Sequence, residues 1–383
     1  MSITIIQSPY TNQPAYNQMV FDVSSSNAGQ PNFNFLADVY VSGTLVSRLV
    51  FPKQPNSSRL LFDISPVMKN YITYDLENVY GAILAVNNNS VAPYYVQMGE
   101  VYDVSGIPTT YTNLTRNPTS GNKYAFNSIF DFEQFTPNIL NTYRVESYGL
   151  LRTSQNDITI KSGQDLFISF YDPNQVVENI YITTSGSSPI IVTGLNTGTN
   201  FIFNFGVKWT DLTSLHSQIA INGFYDITTY DSLGDPILTK RITVETCTDK
   251  FTMYRLHWLN QLGGIESYNF DKVSEQTESI DRSQFKKVTP LNYSADDRLK
   301  VNYNTVITDN ILINSNWLSD ADFQWLQGLA ESPIVWFEQE DNNIIPIQIT
   351  NSNYETKKYL NGRRLHQMSL NIEYSYNRYR QSL

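Results

Sequence analysis

The chain has 383 residues, 41% of them hydrophobic, with only 16% charged and a formal net charge of −10. That length implies two or three domains of about 150 residues each, and the acidic balance excludes binding of nucleic acid through clustered Lys and Arg. A single cysteine, Cys247, excludes an intramolecular disulfide framework, and no run approaches the roughly 20 apolar residues of a membrane helix. Met1 to Gln7 has neither a basic leader nor a long apolar run, so the expectation is a chain made and folded in a cytoplasm without translocation. Polarity is carried by Asn, Ser, Thr and Gln, and aromatics are abundant, with 26 Tyr and 20 Phe. Such residues suit half-buried strands and the turns between them, although an AT-rich genome also enriches Asn, Ile and Tyr. The expected class is mainly β.

In chain order, the first module spans 1–111. Ser2 to Ile6 opens it as a strand. Met19, Phe21 and Val23 alternate with polar residues, as do Phe33, Phe35, Ala37, Val39 and Val41. Ser42-Gly43 turns the chain into Leu45 to Phe51, and Leu60 to Ile64 follows. Ser65 and Pro66 suit the N-cap and first position of a single helical turn. Gly81 to Val86 and Tyr94 to Val104 complete an immunoglobulin- or fibronectin-like sandwich pattern. Residues 112–135 are rich in Pro, Asn, Thr and Gly and read as a linker or extended arm. A second sandwich is expected over 136–246. Its strands are Ile158 to Ile160, Leu166 to Phe170, Ile180 to Thr184, Ile190 to Val192 and Phe201 to Val207. A hairpin from Phe224 to Val244 closes it around Asp231 to Pro236.

The third module spans 247–383. Tyr254 to Leu262 and Tyr268 to Asp271 pair across Gly263-Gly264. Gln284 to Thr289 is a short strand, and Val301 to Ile313 a long one. A helix is expected over 319–331, with Ser319 as N-cap and Asp322 in the place of a capping-box acid. Phe323, Leu326, Leu329 and Ala330 line its apolar face. Ile334 to Phe337 and Ile344 to Ile349 form a hairpin, and Met368 to Tyr374 is the last strand.

Candidate chemistry is sparse. His216, His257 and His366 lie outside any zinc-binding spacing. His257 sits inside a strand pattern and reads as a structural histidine held by backbone hydrogen bonds. Cys247 reads as a small buried hydrophobe. Gly263-Gly264 lacks the Lys and Ser/Thr of a phosphate loop. Asp231/Asp235, Asp296/Asp297, Asp320/Asp322 and Glu338/Glu340/Asp341 are acidic groups of the type a glycosidase or calcium site uses. Each lies at a turn or helix start, where Asp and Glu serve the backbone. The Tyr and Trp surplus suits either a sugar platform or a subunit interface. Arg363, Arg364, Arg378 and Arg380 form a basic cluster that serves either as a docking patch or as a solvated tail. No catalytic residue, metal or cofactor is expected.

The run from Tyr254 to Phe270 resembles a segment of tail structural proteins from phages and prophages of Bacteroides-type hosts. The matching positions are Cys247, Trp258, Leu259, Asn260, Leu262, Gly263, Gly264, Tyr268 and Phe270. Asn32 to Val41 with Val46 to Phe51 is similar to the opening module of those proteins. Trp317 to Tyr376 looks like a tail-tube-type β-sandwich with one helix. The whole resembles a tail ring protein of the crAss-like phages. That resemblance implies tandem sandwiches followed by a tail-tube-like domain, and a non-enzymatic virion protein between portal and distal tail. Its partners would be roughly six or twelve copies of itself in a cyclic ring, together with neighbouring portal, ring and tail proteins. It would bind neither a membrane nor a specific nucleic acid sequence, and an acidic channel would let DNA pass. The candidate assembly residues are Trp258, Asn260, Gly263, Gly264, Tyr268, Phe270, Arg363, Arg364, Arg378 and Arg380. A carbohydrate- or receptor-binding tail module and a glycoside hydrolase using Asp296 or Asp231 are the alternatives.

Overall fold

Strict alternation along Asn34–Val41 sends Phe35, Ala37, Val39 and Val41 to one face, where they meet Tyr94, Val96 and Met98 of Val91–Val101. The computed structural model in which this is seen describes residues 3–55, 57–74, 84–86, 88–108, 114–154, 157–193, 202–246, 250–288, 291–292, 294–296, 298–339, 343–351 and 366–380. The chain is mainly β and divides into two units. The first comprises Met1–Thr246 with Asn260–Gly264, and the second Cys247–Leu259 with Ile265–Leu383.

The first unit opens with a sandwich. One sheet has the order Ile3–Gln7, Val20–Ser25, Arg59–Asp63. The other runs Asn12–Pro14, Lys123–Phe126, Val91–Val101, Asn34–Val41, Thr44–Pro52, with Thr115–Asn117 also on Val91–Val101. Phe21, Val23, Leu60 and Phe62 from the first sheet complete the core between them. Ser42 and Gly43 both hold positive φ, 50° and 83°, which is the two-residue turn geometry that matches strand twist. The stretch 112–135, expected as a linker or arm, instead supplies two strands to this sandwich. Backbone pairing outweighs its turn-rich composition there: Lys123–Phe126 is held on both sides, parallel to Asn12–Pro14 and antiparallel to Val91–Val101.

The second sandwich has the sheet Ile158–Lys161, Pro236–Glu245, Phe224–Tyr230, Asn179–Thr183, Ile190–Thr193. Opposite it lies Leu166–Tyr171, Ile202–Val207, Leu84–Val86. The expected hairpin is present, and its loop is closed by the Asp231 carboxylate accepting from the Leu233 and Asp235 amides at 2.9 and 2.8 Å. A short helix, His216–Asn222, was not foreseen; it buries Ile219 and stops at Gly223, whose φ is 74°. The two sandwiches share more than a linker. Leu84–Val86 comes from the first predicted module yet pairs with Ile202–Val207 of the second. Phe126, Phe130, Leu140, Leu151 and Tyr171 form one further apolar cluster. Asn12 donates to the Tyr171 hydroxyl at 2.8 Å.

The second unit is built on one eight-stranded sheet. Its order is Ile265–Phe270, Tyr254–Leu259, Val335–Glu338, Ile344–Ile349, Ser369–Tyr374, Lys300–Asn314, Glu275–Lys286, with Arg378–Tyr379 added to Lys300–Asn314. The helix Asp320–Glu331 matches the expectation. Ser319 Oγ accepts from the Asp322 amide at 3.2 Å, and Phe323, Leu326 and Leu329 are buried against Leu256, Trp258, Val335 and Leu370. The strand expected at Gln284 to Thr289 is the far end of a longer one, Glu275–Lys286.

Candidate functional site

Tyr254–Leu259 and Ile265–Phe270 pair as an antiparallel hairpin, with Trp258 opposite Glu266 and Tyr254 opposite Phe270. Alternation points Trp258, Tyr268 and Phe270 to one face. Trp258 is fully buried, its ring 5.4 Å from that of Trp325 on the helix. Tyr268 lies 6.0 Å from Trp325 and 4.9 Å from Phe270, which is itself buried. These three, expected at an interface, are therefore taken up by packing inside the second unit. The Trp258 indole N–H has no acceptor among the described residues. Trp325 finds one in the Glu266 carboxylate.

The turn between those strands packs as part of the first unit. Asn260 organises it: its Oδ1 accepts from the Leu262 and Gly264 amides at 3.0 and 2.9 Å, and its Nδ2 donates to the Leu151 carbonyl at 3.0 Å. The Ile129 amide donates to the Gln261 carbonyl at 2.8 Å. Leu262 is buried in the cluster of Phe126, Phe130 and Tyr171. Both glycines are required here. Gly263 has φ +89°, and a Cβ on it would lie 2.5 Å from the Asn127 carbonyl oxygen; a Cβ on Gly264 would lie 2.3 Å from that of Leu151.

The other face of the hairpin carries a buried ion cluster. Register pairs Arg255 with Glu338 and His257 with Trp336. Arg255 Nη1 lies 3.0 Å from Glu338 Oε2, and His257 Nε2 lies 2.7 Å from the same oxygen. The Ser267 hydroxyl is 2.7 Å from His257 Nδ1. A carboxylate can only accept, so Nε2 carries the proton and Nδ1 accepts from Ser267. Sequence reasoning expected backbone partners for His257; the partners are side chains from two neighbouring strands. His257 has no solvent exposure, and it ties three strands together, meeting Glu338 on one neighbour and Ser267 on the other.

Burial pushes the His257 pKa down. The hydrogen bond to Glu338 opposes that shift, Arg255 adds to it, and the net value lies below 6.5. The unfolded chain therefore takes up a proton here below about pH 6.5 that the folded chain does not, and stability falls as pH drops from that point. Burial also acts to raise the Glu338 carboxyl, but the charge of Arg255 and the His257 hydrogen bond outweigh it and hold the group below 4.5. Its contribution is present above that value and is lost as pH falls through the folded one. Four of the five tryptophans, Trp258, Trp317, Trp325 and Trp336, lie in the second unit, so with Trp209→Phe as background tryptophan fluorescence follows it. We expect the urea midpoint read this way to fall between pH 7 and pH 5, and His257→Asn to flatten that decline. An unchanged slope in the variant would refute the assignment.

Of the C-terminal arginines, Arg378 clasps its own chain: it donates to Asp309 Oδ2 at 2.8 Å and to Glu278 Oε1 at 2.8 Å. These carboxylates raise its pKa through hydrogen bonds. The Arg380 amide donates to the Thr305 carbonyl at 3.3 Å, and its side chain is exposed. Arg363, Arg364, Cys247, Asp297, Glu340 and Asp341 lie outside the described residues. Among the described residues no group of three or more His, Cys, Asp or Glu is placed to hold a metal. Asp231 closes a turn, and Asp320 Oδ1 lies 2.9 Å from His366 Nε2. The half-buried pair Tyr40 and Tyr95 stack on each other at 4.6 Å, and Arg116 lies 3.9 Å over Tyr95.

One long, exposed strand is longer than the sequence reading gave it. Glu275–Lys286 is twelve residues long, none of them buried, and among the described residues it ends its sheet, pairing only with Lys300–Asn314. Besides Glu275–Lys286, the described residues support Lys300–Asn314 only at Thr305–Ile307 and Asn310–Asn314. Beyond Thr305, among the described residues, the hairpin is a two-stranded ribbon pairing Ser283 with Asn304 and Lys286 with Lys300. It carries Phe285 at 44% exposure and Tyr303 at 53%, and just past it Val288 at 93% and Leu291 at 102%.

No family model matches the chain, and no curated protein matches it. One solved structure aligned with it is described as "Crystal structure of Dpr2 Ig1-Ig2 in complex with DIP-Theta Ig1-Ig3". It is 7% identical over 98% of this chain and 90% of that chain, with a TM-score of 0.19, too low to carry any argument about fold or function.

Proposed function

We propose that this chain is a structural subunit of an oligomeric ring in a phage tail, and that it assembles through the long hairpin. The observation that carries the assembly reading is the edge of Glu275–Lys286, which no other described strand pairs, with the ribbon beyond it. A two-stranded ribbon is marginal in water on its own, and a free edge presents unpaired N–H and C=O groups to another chain. Edge residues Glu278, Asp281 and Arg282 discourage indiscriminate pairing while admitting a partner of matching charge. A contact between this hairpin and a different patch on a second copy is heterologous, and such contacts close into rings when the rotation permits. The phage-tail setting rests on the resemblance of Trp258 to Phe270 and of the closing part of the chain. An acidic channel wall, favoured by the net charge of −10, would let DNA pass by repulsion.

Ser283 and Asn304 face each other across the hairpin. Replacing 284–303 with Asn-Gly therefore joins the strands by a turn suited to two residues. Sedimentation velocity is expected to show assembly by the full chain and its loss in this variant, whose tryptophan-detected unfolding is retained. Assembly of the shortened chain at full-chain concentrations would contradict the reading.

A further inference from the structure

We infer that the basic, apolar tip of the long hairpin seats on an acidic turn at 131–134 of a second copy, with Phe132 as the anchor. The inference rests on the ring reading above and names the two surfaces that meet. Phe132 is 97% exposed, yet its turn is well held. The Gln134 and Phe135 amides both donate to the Asp131 carbonyl at 2.9 Å. Phe130, just before it, is buried, and Asn17 brackets its backbone with bonds of 2.7 and 2.9 Å. An aromatic ring presented on a preorganised turn loses little conformational freedom when it docks, which is how interface anchors work. Asp131 and Glu133 flank it, both exposed, and Ile129 beside them is 48% exposed.

The hairpin tip has the complementary character. Residues 282–303 hold five basic side chains against two acidic ones, in a chain whose net charge is −10. Lys286, Lys287, Arg298 and Lys300 are all exposed, as are Val288, Leu291 and Asp296 of the same tip. An apolar centre within a positive rim fits an apolar anchor within a negative rim, and such matching sets register and suppresses wrong partners. Tip and turn are different patches, so each copy offers one of each and the contact propagates from copy to copy.

The test uses the full chain with Cys247→Ser as background. With Phe132→Cys and Leu291→Cys in the same chain, oxidation of the assembled protein is expected to yield a ladder of covalent oligomers. Mixing the two single variants is expected to yield dimers only, and pairing Leu291→Cys with Leu233→Cys, on an exposed loop elsewhere, no ladder. Separately, Asp131→Lys with Glu133→Lys is expected to raise the concentration needed for assembly about tenfold, and adding Lys286→Glu with Lys287→Glu to restore it. Assembly of the parent chain without cross-linking or charge-swap rescue overturns this contact and leaves the ring reading standing. A parent chain that never assembles overturns both.

Discussion

Replacing Glu338 with alanine is expected to destabilise the second unit by about 3–5 kcal/mol, the range for removing one partner of a buried ion pair. The size follows from what is left behind. Arg255 is 2% exposed, and Glu338 is the carboxylate that faces it. His257, fully enclosed, would lose the acceptor for its Nε2 proton as well. Against a total stability of about 5–15 kcal/mol for an ordinary domain, such a loss is large. The cluster is not thereby a net source of stability, because desolvating Arg255 and Glu338 offsets their attraction. The paired change Arg255→Met with Glu338→Leu is accordingly expected to recover most of the deficit, less about 1–3 kcal/mol for the unpaired histidine. Urea unfolding followed by tryptophan fluorescence measures both variants. A loss under about 1 kcal/mol for the single alanine would mean that water or another group reaches Arg255, against the buried geometry.

The second large effect is expected at Gly264. Its added Cβ would meet backbone, the Leu151 carbonyl at 2.3 Å, and Ser169 Cβ at 3.2 Å, and neither is the far end of a flexible chain. The turn must shift, which strains the Asn260 bond to Leu151 and withdraws Leu262 from its apolar cluster. Overpacking combined with partial loss of a buried leucine costs about 3 kcal/mol or more. Gly263→Ala joins a similar clash to a left-handed φ. Hydrogen exchange localises the damage. The Ile129 amide, which donates to Gln261, is expected to lose protection in Gly264→Ala, while the helix Asp320–Glu331 keeps its own. Unchanged exchange at Ile129 would show that the turn has room the structure does not allow it.

These two sites divide what was legible in the residues from what was not. Local periodicity and local hydrogen bonds were legible. Phe35 to Val41 and Met368 to Tyr374 alternate as strands with one apolar face, and Ser319 with Asp322 marks the start of the single long helix. The Gly263-Gly264 turn was visible, but its tight seat was not, because Asn127 and Leu151 lie more than a hundred residues earlier. Glu338 likewise meets His257 across 81 residues, through a strand register that periodicity does not encode. Thr115–Asn117 and Lys123–Phe126 looked like linker because their residues favour turns, and only pairing with Val91–Val101, joined for Lys123–Phe126 by Asn12–Pro14, makes them strands. Glu275–Lys286 was shortened for the opposite reason: both of its faces are polar, so no apolar stripe announced its length.

The burial of Trp258 and Phe270 also moves the weight of the assembly argument. Trp258, Tyr268 and Phe270, which carry part of the resemblance, pack within the second unit, and the surface we propose for a neighbour is the hairpin that follows them. Electron microscopy of the purified full chain across a concentration series tests that account most directly. It predicts closed rings of cyclic symmetry that disappear when 284–303 is replaced by the short turn. Monomers at every concentration, or rings that persist without the hairpin tip, would contradict it.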